Sequence, residues 1–92
     1  MLVQKVVAVK RLQEMGLISL FTNKPEVVVY PQILRINDAE FMKNWCMNIR
    51  DVWIAHNPLA DDREVEQLEL KVYNKISGDL ICRFNNRLIM HS

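Results

Sequence analysis

The alternation of apolar and polar positions is clearest between Asn37 and His56, NDAEFMKNWCMNIRDVWIAH. At 100° per residue, Phe41, Met42, Trp45, Cys46, Ile49, Val52, Trp53 and His56 share a sector of about 140°, the broad stripe of a helix laid on a core. Lys43, Asn44, Asn48, Arg50 and Asp51 fall on the opposite side. Asn37 with Glu40 three positions later makes a capping box, and Asp38 is also a good cap residue. Asn57-Pro58 ends the helix, because a residue before proline is pushed out of the α region. Met47 and Ile54 break the polar side, seven residues apart and so stacked on one flank. Such a flank is either covered by the rest of its own domain or offered to a partner.

The remaining chain divides into shorter elements. Leu2 to Met15 mixes β-branched Val3, Val6, Val7 and Val9 with the helix-favouring RLQEM, and Gly16 reads as the residue after a helix C-terminus, so a helix over residues 3–15 is predicted. Its apolar positions spread around most of the circumference, which implies either heavy burial or a strand over residues 2–9 that imitates a helix. Leu17–Phe21 and Glu26–Tyr30 flank the turn residues Asn23, Lys24 and Pro25 and predict a β-hairpin. Pro31 cannot donate to a ladder and should close the second strand, with extended structure resuming at residues 32–36. After a short loop beyond Pro58, Asp61 and Glu64 form a second capping pattern. Val65, Leu68, Val72 and Ile76 then share a helical face, with Lys71 and Lys75 at the end favoured by the dipole. A helix through residue 76 is therefore predicted, against a rival strand in which Leu68, Leu70 and Val72 alternate.

The C-terminus predicts a hairpin with a two-residue turn at Asn85-Asn86. In that register Phe84 faces Arg87, Cys82 faces Ile89 and Leu80 faces His91, while Ile81, Arg83, Leu88 and Met90 line the other side. Both faces are apolar in part, so another layer or a second copy is expected on one of them. The fold class is α+β: one small domain, residues 1–92, with two or three helices packed on antiparallel hairpins in the order α-β-β-α-α-β-β.

Composition narrows the picture modestly. Ninety-two residues, half of them hydrophobic, allow one core, with about 60–65% of the unfolded surface buried. Net charge is +1, distributed as +3 over residues 1–36, −3 over 37–77 and +1 over 78–92. Cys46 and Cys82 lie among apolar residues and predict buried reduced thiols. No secretory leader pattern or membrane-length apolar run is present, so an intracellular, cytoplasmic location without membrane contact is expected.

Candidate chemistry is sparse. Cys46, His56, Cys82 and His91 are the residue types zinc prefers, but no two are close enough in sequence for a local clip. Cys46 and His56, ten residues apart on one helix, stand about 15 Å apart. Cys82 with His91 is the nearest thing to a thiol–imidazole pair, diagonal neighbours in the predicted hairpin, yet without an oxyanion or nucleophile motif. The two glycines, Gly16 and Gly78, sit at predicted helix ends and form no phosphate cradle. No cofactor, metal or catalytic residue is assigned.

Residues 5–36, KVVAVKRLQEMGLISLFTNKPEVVVYPQILRI, resemble the latter part of a winged-helix module, a helix ending in Gly-Leu-Ile followed by a wing-like hairpin. The resemblance covers about a third of the chain and implies DNA or RNA phosphate contacts from Lys5, Lys10, Arg11 and Lys24. The leading expectation is different: a non-enzymatic regulator, inhibitor or adaptor that docks an apolar surface on a protein partner or on itself as a homodimer. Its surface comprises Met47, Ile54, Ile81, Leu88 and Met90, and five methionines in the chain suit an adaptable contact. Nucleic-acid binding is the alternative, and a small enzyme without a recognisable motif the third.

Overall fold

The computed structural model describes residues 2–58 and 61–91. The fold is α+β, with three helices and a five-stranded mixed sheet among the described residues. Helix α1 (Leu2–Glu14) leads into strands β1 (Ile18–Leu20) and β2 (Glu26–Val29), then a 3-10 turn (Pro31–Ile33). Helices α2 (Ala39–Ala55) and α3 (Asp62–Gln67) follow, and strands β3 (Leu70–Asn74), β4 (Leu80–Phe84) and β5 (Leu88–Met90) complete the chain. Strand order in the sheet equals sequence order. All neighbours are antiparallel except β2 and β3, which pair in parallel through Val27↔Val72 and Val28↔Tyr73.

Helix α1 ends as its glycine predicts. Gly16 adopts φ +75°, its N–H bonds the Gln13 carbonyl, and the Leu17 N–H reaches back to Leu12 at 2.9 Å. This double bond pattern satisfies carbonyls that the helix end would otherwise leave open. Helix α2 is capped by Asp38 rather than Asn37: the Asp38 carboxylate accepts the Phe41 N–H at 3.0 Å, moving the start one residue on. At the far end His56 is the C-cap and is exposed, and the Asn57 side chain donates to the Trp53 carbonyl at 2.8 Å.

Both long helices lie on one face of the sheet. Met42, Cys46, Ile49 and Val52 from α2 and Val9 from α1 meet Val27, Val29, Leu70, Val72, Cys82 and Phe84 from the strands in one core cluster. The alternate strand residues Val28, Lys71 and Tyr73 point to the other face and stay half-exposed. This is the two-layer arrangement in which each element hides one apolar face.

Three local expectations give way. Residues 32–36 do not form a strand, because Pro31 opens a 3-10 turn from the first position, where its missing N–H costs nothing. The helix expected through residue 76 stops at Gln67, although Asp61 caps its start as predicted by accepting the Glu64 N–H. Beyond it the rival strand holds: Leu68, Leu70 and Val72 are all buried with a period of two. Gly78 then serves the β3–β4 turn at φ +79°, where the Asn74 side chain accepts the N–H groups of Ile76 and Ser77. The loop expected after Pro58 includes residues 59 and 60, which lie outside the described residues.

The C-terminal hairpin exists but in a different register. Phe84 pairs with Leu88, Arg83 with Ile89 and Cys82 with Met90. Three residues, Asn85 to Arg87, form the loop, and only Asn86 takes positive φ, at 57°. The shift turns β5 over, so that Leu88 and Met90 join Cys82 and Phe84 on the helix side. The resembled wing is also absent as a projecting element, since β2 is paired on both edges inside the sheet.

Candidate interaction surface

Five residues were expected at an apolar docking surface, and the fold brings three together. Met47, Leu88 and Met90 line one groove with Ala39, Glu40, Lys43 and Asn44, between the flank of α2 and the edge strand β5. Met47 and Met90 are each 37% exposed. Ile54 lies two turns further along α2, about 10 Å away, half-buried against the core. Ile81 is not available at all: it is 7% exposed, and the reason is a β-bulge. Val72 pairs with Cys82 but Tyr73 with Leu80, leaving Ile81 as the extra residue, and the local kink turns it inward.

The main chain of β5 adds to the groove. Asn85 N–H bonds the Arg87 carbonyl and His91 N–H bonds the Ile81 carbonyl, at 3.2 and 2.9 Å. With Arg83↔Ile89 between them, these are the hydrogen-bonded pairs of the ladder, so Cys82↔Met90 and Phe84↔Leu88 are the non-bonded ones. The N–H and C=O groups of Leu88 and Met90 therefore point away from β4, toward the open edge. The opposite edge is treated differently: the outward N–H of Leu20 on β1 bonds the Gln13 side chain of α1 at 3.3 Å.

The groove is held in place by its surroundings. Arg50 on α2 donates to the Asn86 side chain at 2.9 Å and lies over the Phe84 ring, 5.5 Å from its centre. Beneath, Cys46 and Cys82 place their sulfurs 3.8 Å apart, wholly buried, joining α2 to β4. The hydrogen bond to Cys82, followed by burial, holds the Cys46 thiol well above its ordinary range, so it keeps its proton. A buried thiol of this kind is inert, a packing element and not a nucleophile.

Other sequence candidates are dispersed. Cys82 is wholly buried in the core while His91 is exposed beside Ile36 and Asp79, so the diagonal thiol–imidazole pair does not form. Among the described residues, no three His, Cys, Asp or Glu side chains converge as metal ligands. Of the four basic residues, Lys5 is paired with Asp51 at 2.8 Å and Lys24 with Glu26 at 3.4 Å. Lys10 and Arg11 stand exposed on α1. Among the described residues, no helix is long and apolar enough to cross a membrane.

One surface escaped the sequence reading. The stripe Val3, Val7 and Met15 on α1 is open, with Val3 73% and Met15 70% exposed, although heavy burial was expected there. Only Val9 of α1 is fully buried, because α1 packs along one line against α2 and β1 and leaves its outer face open. The spacing of 3, 7 and 15 along one helical face was the signal that distinguished it.

No protein-family model, no curated protein and no solved structure matches the chain.

Proposed function

We propose that this protein acts by binding and not by catalysis, as a small regulator, inhibitor or adaptor whose apolar groove docks on a macromolecular partner or a second copy. The observation behind this reading is the groove of Met47, Leu88 and Met90, set directly beside a strand edge with unpaired main-chain groups. An apolar strip next to free N–H and C=O groups supplies both parts of strand-addition recognition: main-chain bonds for affinity and side-chain pockets for selectivity. Methionine at two of the three positions suits a surface that repacks around its partner. The alternative, nucleic-acid binding, has weaker support, because two of its four cations are already paired with carboxylates.

Tagged protein recovered from its native host with nuclease present, alongside a Met47→Asp variant, tests the reading. A bound protein that Met47→Asp releases at least tenfold more readily supports it, as does self-association lost in the same variant. Binding that disappears with nuclease, or that ignores Met47, refutes it.

A further inference from the structure

The groove and edge together define a partner more narrowly, and we propose that it is a second copy of this chain, joined β5 to β5 in antiparallel fashion to make one continuous ten-stranded sheet. This rests on the docking reading above.

The backbone pattern is self-complementary. Outward N–H and C=O groups belong to Leu88 and Met90, placed symmetrically about Ile89. A twofold axis normal to the sheet at Ile89 sets Leu88 of one copy opposite Met90 of the other, and each such pair exchanges two hydrogen bonds. Four bonds form without any shift of β5 against β4. The same axis puts the two Ile89 side chains, each 48% exposed in the single chain, in a close non-bonded pair on the open face of the sheet. On the helix face, Leu88, Met90 and Met47 of one copy meet their equivalents, while on the open face the Ile89 pair is flanked by the exposed Arg83 of each copy's β4.

Charge and edge protection point the same way. Glu40 and Lys43 are the charged residues lining the groove and cancel, and on the open face the two Arg83 side chains stand three strand spacings apart, so like-charge repulsion between the copies is largely screened. An edge kept solitary is usually blunted by an inward-pointing charge, a proline or a covering side chain. The β1 edge has such a cover in Gln13, whereas residues 88–90 are Leu-Ile-Met. A strand of this composition and with a twofold-symmetric bonding pattern is suited to its own image.

Sedimentation velocity on wild type, Ile89→Lys, Ile89→Glu and an equimolar mixture of the two variants tests the proposal. Ile89 is half-exposed and contributes nothing to the core cluster, so circular dichroism should show both variants folded. Wild type should dimerise, each variant alone should associate at least tenfold more weakly, and the mixture should recover a heterodimer through the opposed charges. Amide exchange at Leu88 and Met90 should slow in the dimer. A wild type that stays monomeric to millimolar concentration overturns the proposal. So does a dimer that survives Ile89→Lys, or one broken instead by Val7→Asp on α1. In any of these cases, a different protein still released by Met47→Asp leaves the docking reading intact, so the two failures are separable.

Discussion

The β4–β5 turn is the point at which a small change should move the edge strand most. Asn86 sits at φ 57° and its side-chain oxygen accepts from Arg50 at 2.9 Å. Alanine at 86 meets two penalties. Holding a Cβ-bearing residue in the left-handed region costs about 1–2 kcal/mol, which asparagine partly escapes through local bonding. Losing one exposed hydrogen bond costs about 0.5–1.5 kcal/mol. Together these give about 2 kcal/mol, or a fall of about 8–16 °C in melting temperature for a domain of this size. Asn86→Gly loses the same hydrogen bond but relieves the backbone, so it should cost about 1 kcal/mol less than alanine. Urea unfolding of both variants, and of each combined with Arg50→Met, separates the backbone contribution from the side-chain one. Equal losses for alanine and glycine would show that the positive φ is not what fixes this turn. A zero coupling energy between Arg50 and Asn86 would remove the hydrogen bond from the account.

Two further expectations concern the supports of the groove and sheet. The unfolded Cys46 thiol titrates near 9.0, whereas the folded one is held well above that by its bond to Cys82 and by burial. Above pH 9 the unfolded chain has given up the Cys46 proton that the folded chain keeps, so stability should fall as pH rises past 9; the same hydrogen bond holds the Cys82 thiol below its ordinary value, so that group acts in the opposite sense just below pH 9. Urea midpoints from pH 8 to 10.5 check this, and replacing both Cys46 and Cys82 with alanine should flatten the slope; an unchanged slope refutes the assignment. Trp53→Phe removes the indole N–H donated to the Lys24 carbonyl at 2.9 Å. Because the Glu26 N–H still bonds that carbonyl, the loss should be about 0.5–1 kcal/mol, with faster amide exchange at Phe21 in the β1–β2 hairpin.

The residues that announced the fold were those whose local chemistry and burial pattern agree. The stripe of α2, the glycine closing α1 and the turn residues 23–25 each specify one conformation without help from distant parts of the chain. Residues 68–76 did not, since Leu68 and Val72 satisfy both a helical and an alternating pattern, and Lys71 and Lys75 imitate the charges of a helix end. The decision there belongs to β2, whose free edge supplies a parallel partner for Leu70–Asn74. Part of the candidate surface was legible as Met47, Leu88 and Met90. Its geometry was not, because a three-residue loop in place of two reverses every side chain on β5, and a bulge not signalled locally by glycine or proline buries Ile81.

The parallel pairing of β2 with β3 also sets the order of events in folding. Both terminal hairpins and all three helices are assembled from residues near in sequence, and such contacts close in microseconds. None of them hides an apolar face on both sides of the sheet's midline until Val27 finds Val72, with 44 residues between them. Closing that span is costly in chain entropy and brings no reward until it is complete. Before it closes, each half exposes a strand with one unfilled side. The central pair should therefore be the step at which folding is slowest and at which a stray strand from another chain competes best.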